Sequence, residues 1–343
     1  LDKMKGLLLM FLFFSFVGSA QDFHYSQLDQ SLTLLNPATT STFAGFERIT
    51  LQHRNQWLGA GTQFMTSMGM AEFSIGKEAR KRSSYSGIGL YFMNDVGGDS
   101  KFSIKTGGVT ASGVIPIGRT HSVSAGLHAA FCNRSADFSR LSFLNQWNGT
   151  EFDSSIDPVE GNGISSFSHL DAGLGIAYGF NKENENTLSS NELSFQGGFS
   201  VQHLNRPKLR YNSLVDDQLY MKFCMHANVR YGLSPESNIE LSAAQFIQGK
   251  HYETIVGFFY RLKTKNASRI TSIVSNQYFV FGTYFRSVGT VIPTIYFDLG
   301  AFSLGLSYDY EFGQLASMYK QSVEVSLKFN SGKKSIFSSS KLR

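Results

Sequence analysis

Cysteine is nearly absent from this chain. Cys132 and Cys224 are the only two in 343 residues, too few and too far apart for a disulfide framework or a thiolate metal site. Each lies in a strand-like run where a small packed side chain is the expected role. Strong charge is lacking as well. The formal net charge is +5, the basic residues are scattered, and the one local cluster, "KEARKR" at 77–82, has none of the interleaved aromatics of a nucleic-acid surface. No nucleic-acid partner is expected. Beyond Val17 no run approaches the ~18 consecutive apolar residues of a membrane-crossing helix, which excludes that architecture.

What the chain does have is glycine and aromatics: 33 Gly, 31 Phe and 15 Tyr against 6 Pro and 2 Trp. Its first twenty residues read as an export signal. Lys3 and Lys5 precede the apolar stretch Leu7–Val17, and "GSA" ending at Ala20 supplies the small residues of a cleavage site, with Met4 as the expected start. No cysteine near Ala20 offers a lipid attachment point. An exported, glycine- and aromatic-rich chain without spanning helices is either a soluble β-protein or an outer-membrane barrel.

Alternation of period two separates these. In "SLGLSYDYEF" Leu304, Leu306, Tyr308, Tyr310 and Phe312 share one face, and Ser303, Gly305, Ser307, Asp309 and Glu311 the other. Comparable runs fall near 46–56, 64–75, 85–93, 102–115, 121–132, 167–178, 192–202, 219–231, 237–247, 252–262, 277–286, 290–299, 302–312 and 320–329. Their lengths of about 9–12 residues suit a tilted bilayer crossing, whereas sandwich strands average about 5–6. Fourteen is an even number, as a closed barrel with both termini in the periplasm requires. The expected organisation is therefore a signal peptide over 1–20, a segment over 21–45 that plugs the barrel or lies beneath it, an all-β transmembrane antiparallel barrel over 46–329, and a basic tail over 330–343. That tail, with Lys333, Lys334, Lys341 and Arg343, is either a solvated end or a contact arm for a periplasmic partner.

Chemistry is sparse. The eight histidines form no HExxH or HxH pattern, no GxSxG elbow occurs, and no catalytic, metal or cofactor residues are assigned. "NDVGGDSK", with Asn94, Asp95, Gly98 and Asp99, lacks the spacing of a calcium loop and reads as a hairpin turn. The long connection 133–166 is the expected partner-binding surface: Phe138, Phe143, Trp147 and Phe152 are set among acidic residues that include Asp153 and Asp157. Connection 203–218 would neighbour it. In the first strand Arg48, Thr50, Gln52, Arg54 and Gln56 point to the lumen by parity, and Ile49, Leu51, His53, Asn55 and Trp57 to lipid. Arg54 and Gln56 are then inward groups near the outer rim, Trp57 an anchor in the aromatic girdle, and His53 and Asn55 a possible contact for a partner in the membrane. Charged lumen residues (Arg48, Arg54, Lys222, Arg230, Asp298, Asp309) read as spread out instead of gathered at one constriction.

Four stretches, in order, resemble the PorP/SprF-type outer-membrane proteins. They are Asn36-Pro37-Ala38 followed by Arg48 and Arg54-Asn55-Gln56-Trp57; "GIGLYFMNDVGGDS" at 87–100; "SVSAGLHAAFCNRSADFSRLSF" at 122–143; and the closing "GLSYDYEFGQLASMYKQSVEVSLKF". The spacing in "ATTSTFAG" is longer than usual for the family. The resemblance implies an integral outer-membrane, non-enzymatic component of the type IX secretion and gliding apparatus of Bacteroidetes, without cofactors. It also implies partners: the C-terminal secretion domain of a large secreted adhesin, type IX secretion or gliding lipoproteins and translocon components. The competing reading is a channel for a small solute or fatty acid.

Overall fold

The computed structural model describes residues 25–58, 64–78, 83–137, 141–153, 155–157, 166–182, 192–209, 217–265, 276–312 and 321–331. The export signal, Phe138 and nearly all of the basic tail lie outside them. Sixteen strands follow in chain order: β1 (Glu47–Gln56), β2 (Phe64–Ile75), β3 (Tyr85–Gly97), β4 (Phe102–Ile117), β5 (His121–Ser135), β6 (Ser166–Lys182), β7 (Leu193–Gln202), β8 (Lys208–Leu209), β9 (Asp217–Gln218), β10 (Lys222–Ser234), β11 (Ser237–Gln248), β12 (His251–Lys265), β13 (Gln277–Arg286), β14 (Thr290–Asp298), β15 (Phe302–Glu311) and β16 (Gln321–Asn330). All but β8 and β9, which form a small hairpin of their own, make one closed barrel of antiparallel neighbours. Closure is by β1 on β16, from Arg48 opposite Asn330 to Gln56 opposite Ser322.

The alternation seen in the sequence separates two environments. Leu51, Phe92, Leu127, Phe131, Ile176 and Phe258 are exposed on the outer wall, while Thr50, Gln52, Glu72, Thr110, Ser200, Asp309 and Glu324 are buried within. Such an inside-out distribution is stable only if lipid takes the place of water around the wall, and closure leaves no unpaired sheet edge to face that lipid. Among the described residues no helix is long and apolar enough to cross a membrane.

The two ends of the barrel differ. One, here the terminal rim, carries the start of β1 and the end of β16. The other, the loop rim, carries the connection between β5 and β6. Strand lengths are uneven: β4, β5 and β6 have 16, 15 and 17 residues, against 9–10 in β13 to β16. Toward the loop rim the outer face of the long strands turns polar beyond Phe131 and Leu170, where Asn133 donates to the hydroxyls of Ser166 and Ser168 at 3.2 and 3.0 Å. These strands therefore stand above the apolar band as a wall on one side of the rim.

Strand β3 is longer than its alternation suggested. It runs to Gly97, so Asn94 and Asp95 lie in the sheet, Asp95 accepting from Thr66 at 2.6 Å. The turn itself is confined to 98–101, where Gly98 and Lys101 take φ of 77° and 48°.

Candidate functional site

Residues 25–46 do not lie beneath the barrel but fill it. Tyr25 and Ser26 sit in the half of the lumen nearer the loop rim. From there the segment crosses the lumen through two short turns and the helical piece Leu32–Leu35, and joins β1 at the terminal rim. Its side chains from Tyr25 to Ser41 are buried apart from a few partly covered ones. A backbone without regular secondary structure needs partners for its polar groups, and the lumen wall supplies them. Ser200 and Gln202 donate to the carbonyls of Leu35 and Leu34, Ser124 to that of Ala38 at 2.7 Å, and Ser112 to that of Thr40 at 2.8 Å.

Asn36-Pro37-Ala38 is the pivot of this plug. The Asn36 side chain accepts from the Ala38 amide at 2.9 Å, capping the turn that Pro37 opens, and donates to the Ile176 carbonyl at 2.9 Å. It also meets His226 Nε2 at 3.0 Å. Wall glycines make this approach possible. A Cβ on Gly126 would collide with the Pro37–Ala38 peptide, and one on Gly175 or Gly198 with the Asn36 amide.

Ionic side chains gather at both ends of the plug. Near the loop rim, Arg54 and Asp309 pair at 2.8 Å. The Ser26 hydroxyl accepts from Arg54 at 2.9 Å and from Arg286 at 2.8 Å, and donates to Asp309. The amides of Ser26 and Gln27 donate to Glu324 at 2.7 and 3.0 Å, Gln52 donates to the same carboxylate at 2.6 Å, and Arg286 pairs with Glu253 at 3.2 Å. Closer to the terminal rim, Asp29 accepts from Tyr284, Ser242 and Asn228 at 2.9, 3.0 and 3.2 Å. Beside it Arg230 pairs with Glu240 at 3.0 Å, and Arg261 with Asp298. Arg48 holds Glu72 at 2.5 Å, and Glu72 in turn binds Thr33 and the Ser41 amide. The lumen charges are thus concentrated around the plug and not dispersed. Parity shows that Glu324, Arg286 and Glu240 point inward but not which inward residues meet, and it says nothing of Ser26, Gln27 and Asp29, which lie in no strand.

Parity holds for Arg54, which is buried in the lumen, and for His53, which pairs outside with Ser67 at 2.8 Å. Gln56 ends β1. Trp57 departs from it. Its φ of 62° breaks the strand, and the ring packs edge to face on Phe64 at 4.9 Å. Phe64 belongs to the inward set of β2, so Trp57 covers the lumen side of the rim; it is not an anchor in a lipid-facing girdle.

The β5–β6 connection spans 136–165, shorter than the 133–166 read from sequence, because both strands extend into it. Its described part is a small knot around Gln146, whose side chain accepts from the Phe143 amide at 2.9 Å and donates to the Ile156 carbonyl at 3.0 Å. Trp147 bridges to Phe152, their rings 5.2 Å apart and near perpendicular. Both rings are exposed, and Leu144 beside them is 90 % exposed. Hydrogen bonds from Ser155 hold the Asp153 carboxyl below its usual range, so it is charged next to this apolar knob. Asp157 is exposed nearby, its carbonyl accepting from Asn145.

A closed antiparallel barrel with an apolar exterior and a polar, plugged lumen defines an integral protein of the outer-membrane type. A family model, type IX secretion system membrane protein PorP/SprF, matches residues 17–329. The chain belongs to that family and is a membrane component of type IX secretion. No curated protein matches it in sequence. Solved barrels of similar outline include the Pseudomonas putida toluene transporter TodX (TM-score 0.48, 7% identity, covering 91% of this chain and 94% of that one). The translocator domain of the autotransporter NalP from Neisseria meningitidis is another (0.45, 12% identity, 88% and 95%).

Proposed function

We propose that this barrel is a non-enzymatic anchoring platform for secreted surface proteins. The loop rim faces outward and binds the C-terminal secretion domain of a large adhesin. The terminal rim faces the periplasm and meets secretion or gliding lipoproteins and translocon components, coupling the cargo to the machinery. The observation that carries this reading is the filled lumen. A wall whose interior is tied to residues 25–46 by buried hydrogen bonds, many of them to charged wall groups, is suited to holding a partner at its rim, whereas a solute channel needs a continuous aqueous path. The raised β4–β6 wall and the exposed Leu144, Trp147 and Phe152 knob give the loop rim the aromatic anchors that binding surfaces use.

Affinity purification from native outer membranes, with identification of the co-purifying chains, tests the proposal. A large secreted protein or periplasmic lipoproteins are expected in the eluate. If neither appears, while a planar bilayer records steady conductance from the intact protein, the channel reading replaces it.

A further inference from the structure

Between the plug and the tall wall lies a cavity of about 100 Å³, on the side of the loop rim. Leu34 and Leu35 of the plug, Met93, Ile104 and Leu219 give it an apolar floor. Its charged lining is uneven. Asp171 is engaged by His203 at 2.8 Å, and the His128 ring by the Tyr91 hydroxyl at 2.5 Å. Lys222 is different: it is only 6 % exposed, and its ammonium lies over the face of Phe246 at 5.4 Å. Among the described residues no carboxylate and no hydrogen-bond acceptor serves it.

A buried ammonium is costly unless an anion or several acceptors replace its water. Among the described residues of this lumen, Arg54, Arg286, Arg230, Arg261 and Arg48 each have a carboxylate, while Lys328, like Lys222, has none in direct contact but lines the larger, polar cavity beside Asp29 and Asp298. At Lys222 no carboxylate lies nearby to share, and a cation so placed at the wall of an apolar cavity marks a place where the missing anion comes from outside. The shape of the site adds a second requirement, since only a group with an apolar body is matched by the leucine and methionine floor. A volume of about 100 Å³ is somewhat below the ~150 Å³ of an apolar cavity that admits benzene, so it holds a single short side chain or its equivalent.

We propose that this cavity binds a carboxylate carrying a short aliphatic group, with Lys222 as the counter-ion. Such a group comes either as a free small acid or as the last residue of a peptide chain. The site is independent of the anchoring role proposed above and stands or falls without it.

The full-length protein in detergent is titrated calorimetrically with butyrate and hexanoate in one arm. In the other it is titrated with a short peptide ending in valine, and hexanamide and the C-terminally amidated peptide serve as uncharged controls. Binding of an acid in either arm is expected, with its amide at least about tenfold weaker and Lys222→Met reducing the acid to the level of the amide. The arm that responds identifies the source. No binding in either arm overturns the proposal, as does an amide that binds as well as its acid, or a folded Lys222→Met protein that binds undiminished. Should Lys222→Met fail to fold, the acid-against-amide comparison on the native chain decides alone.

Discussion

Arg54 and Asp309, 255 residues apart in the chain, meet at 2.8 Å inside the lumen with the Ser26 hydroxyl bonded to both. One contact therefore joins three parts of the molecule: the first barrel strand, the next-to-last, and the plug. A buried pair of this kind adds little over a well-packed apolar pair, but breaking it from one side leaves a bare charge. Arg54→Met is expected to destabilise the barrel by about 3 kcal/mol, since Glu324 loses its counter-charge and Asp309 keeps only Arg286, at 3.4 Å. Asp309→Asn, which keeps the shape and leaves Arg54 facing Glu324 at 3.9 Å, is expected to cost clearly less. The temperature at which the folded form is lost on a gel after heating in detergent ranks the two variants, and equal stability would remove the ion cluster from the account.

The Asn36 pivot makes a separate prediction about the plug. Asn36→Ala removes the cap on the Pro37 turn and the bond to the Ile176 carbonyl, a loss of about 1–2 kcal/mol. Gly126→Val acts from the other side, pushing a branched side chain into the Pro37–Ala38 peptide while the strand itself favours valine. Both variants are expected to keep the barrel and loosen its filling. In planar bilayers the native protein is expected to conduct little, the two variants to flicker open, and a deletion of residues 25–45 to conduct steadily. A deletion that stays closed would mean that the plug does not seal the lumen.

Much of this wall can be read from the sequence because period-two alternation reports directly which residues face lipid. The fourteen runs in the sequence fall on the fourteen barrel strands, with ends that differ by a few residues where polar positions such as Asn94 and Asp95 continue a strand. The plug has no such signal. "YSQLDQSLTLLNPATT" carries no repeat, and its shape is imposed by wall groups such as Ser124, Ser200 and Gln202, which are far away in sequence. Trp57 was misplaced for a local reason: one residue with positive φ ends the alternation, and every inference from parity stops there. Arg54 could be placed in the lumen, but its meeting with Asp309 depends on strand register and on closure of the barrel.

Lys77, in the turn after β2, provides a test at the terminal rim. Its ammonium donates to the Phe43 carbonyl at 2.6 Å and lies over the Tyr85 ring at 4.9 Å. Burial and the neighbouring positive charge of Arg48 lower its pKa from 10.5 to about 8. The folded state thus gives up this proton more easily than the unfolded chain, so the group opposes folding below about pH 8 and ceases to do so as pH rises toward 10.5. Mass-spectrometric mapping of amine acylation against pH is expected to show Lys77 reacting with a midpoint near pH 8 in the folded protein, and with a midpoint near 10.5 once the protein is denatured. A midpoint for Lys77 that does not change on denaturation would contradict its packing against Phe43 and Tyr85.

The knob on the loop rim separates binding from stability. Leu144, Trp147 and Phe152 are exposed, and the contact between the two rings lies outside the barrel wall, so Trp147→Ala with Phe152→Ala is expected to change barrel stability by less than about 0.5 kcal/mol. Anchoring aromatics at a binding surface contribute far more, typically about 2 kcal/mol or above when truncated. Recovery of the secreted partner in affinity purification is therefore expected to fall by tenfold or more in the double variant, with the heat stability of the barrel unchanged. Asp153→Ala, which removes the turn bonds to Ser155 without touching the rings, is expected to reduce recovery less. Partner recovery undiminished by loss of both rings would move the binding surface away from this loop, to the lumen or to the terminal rim.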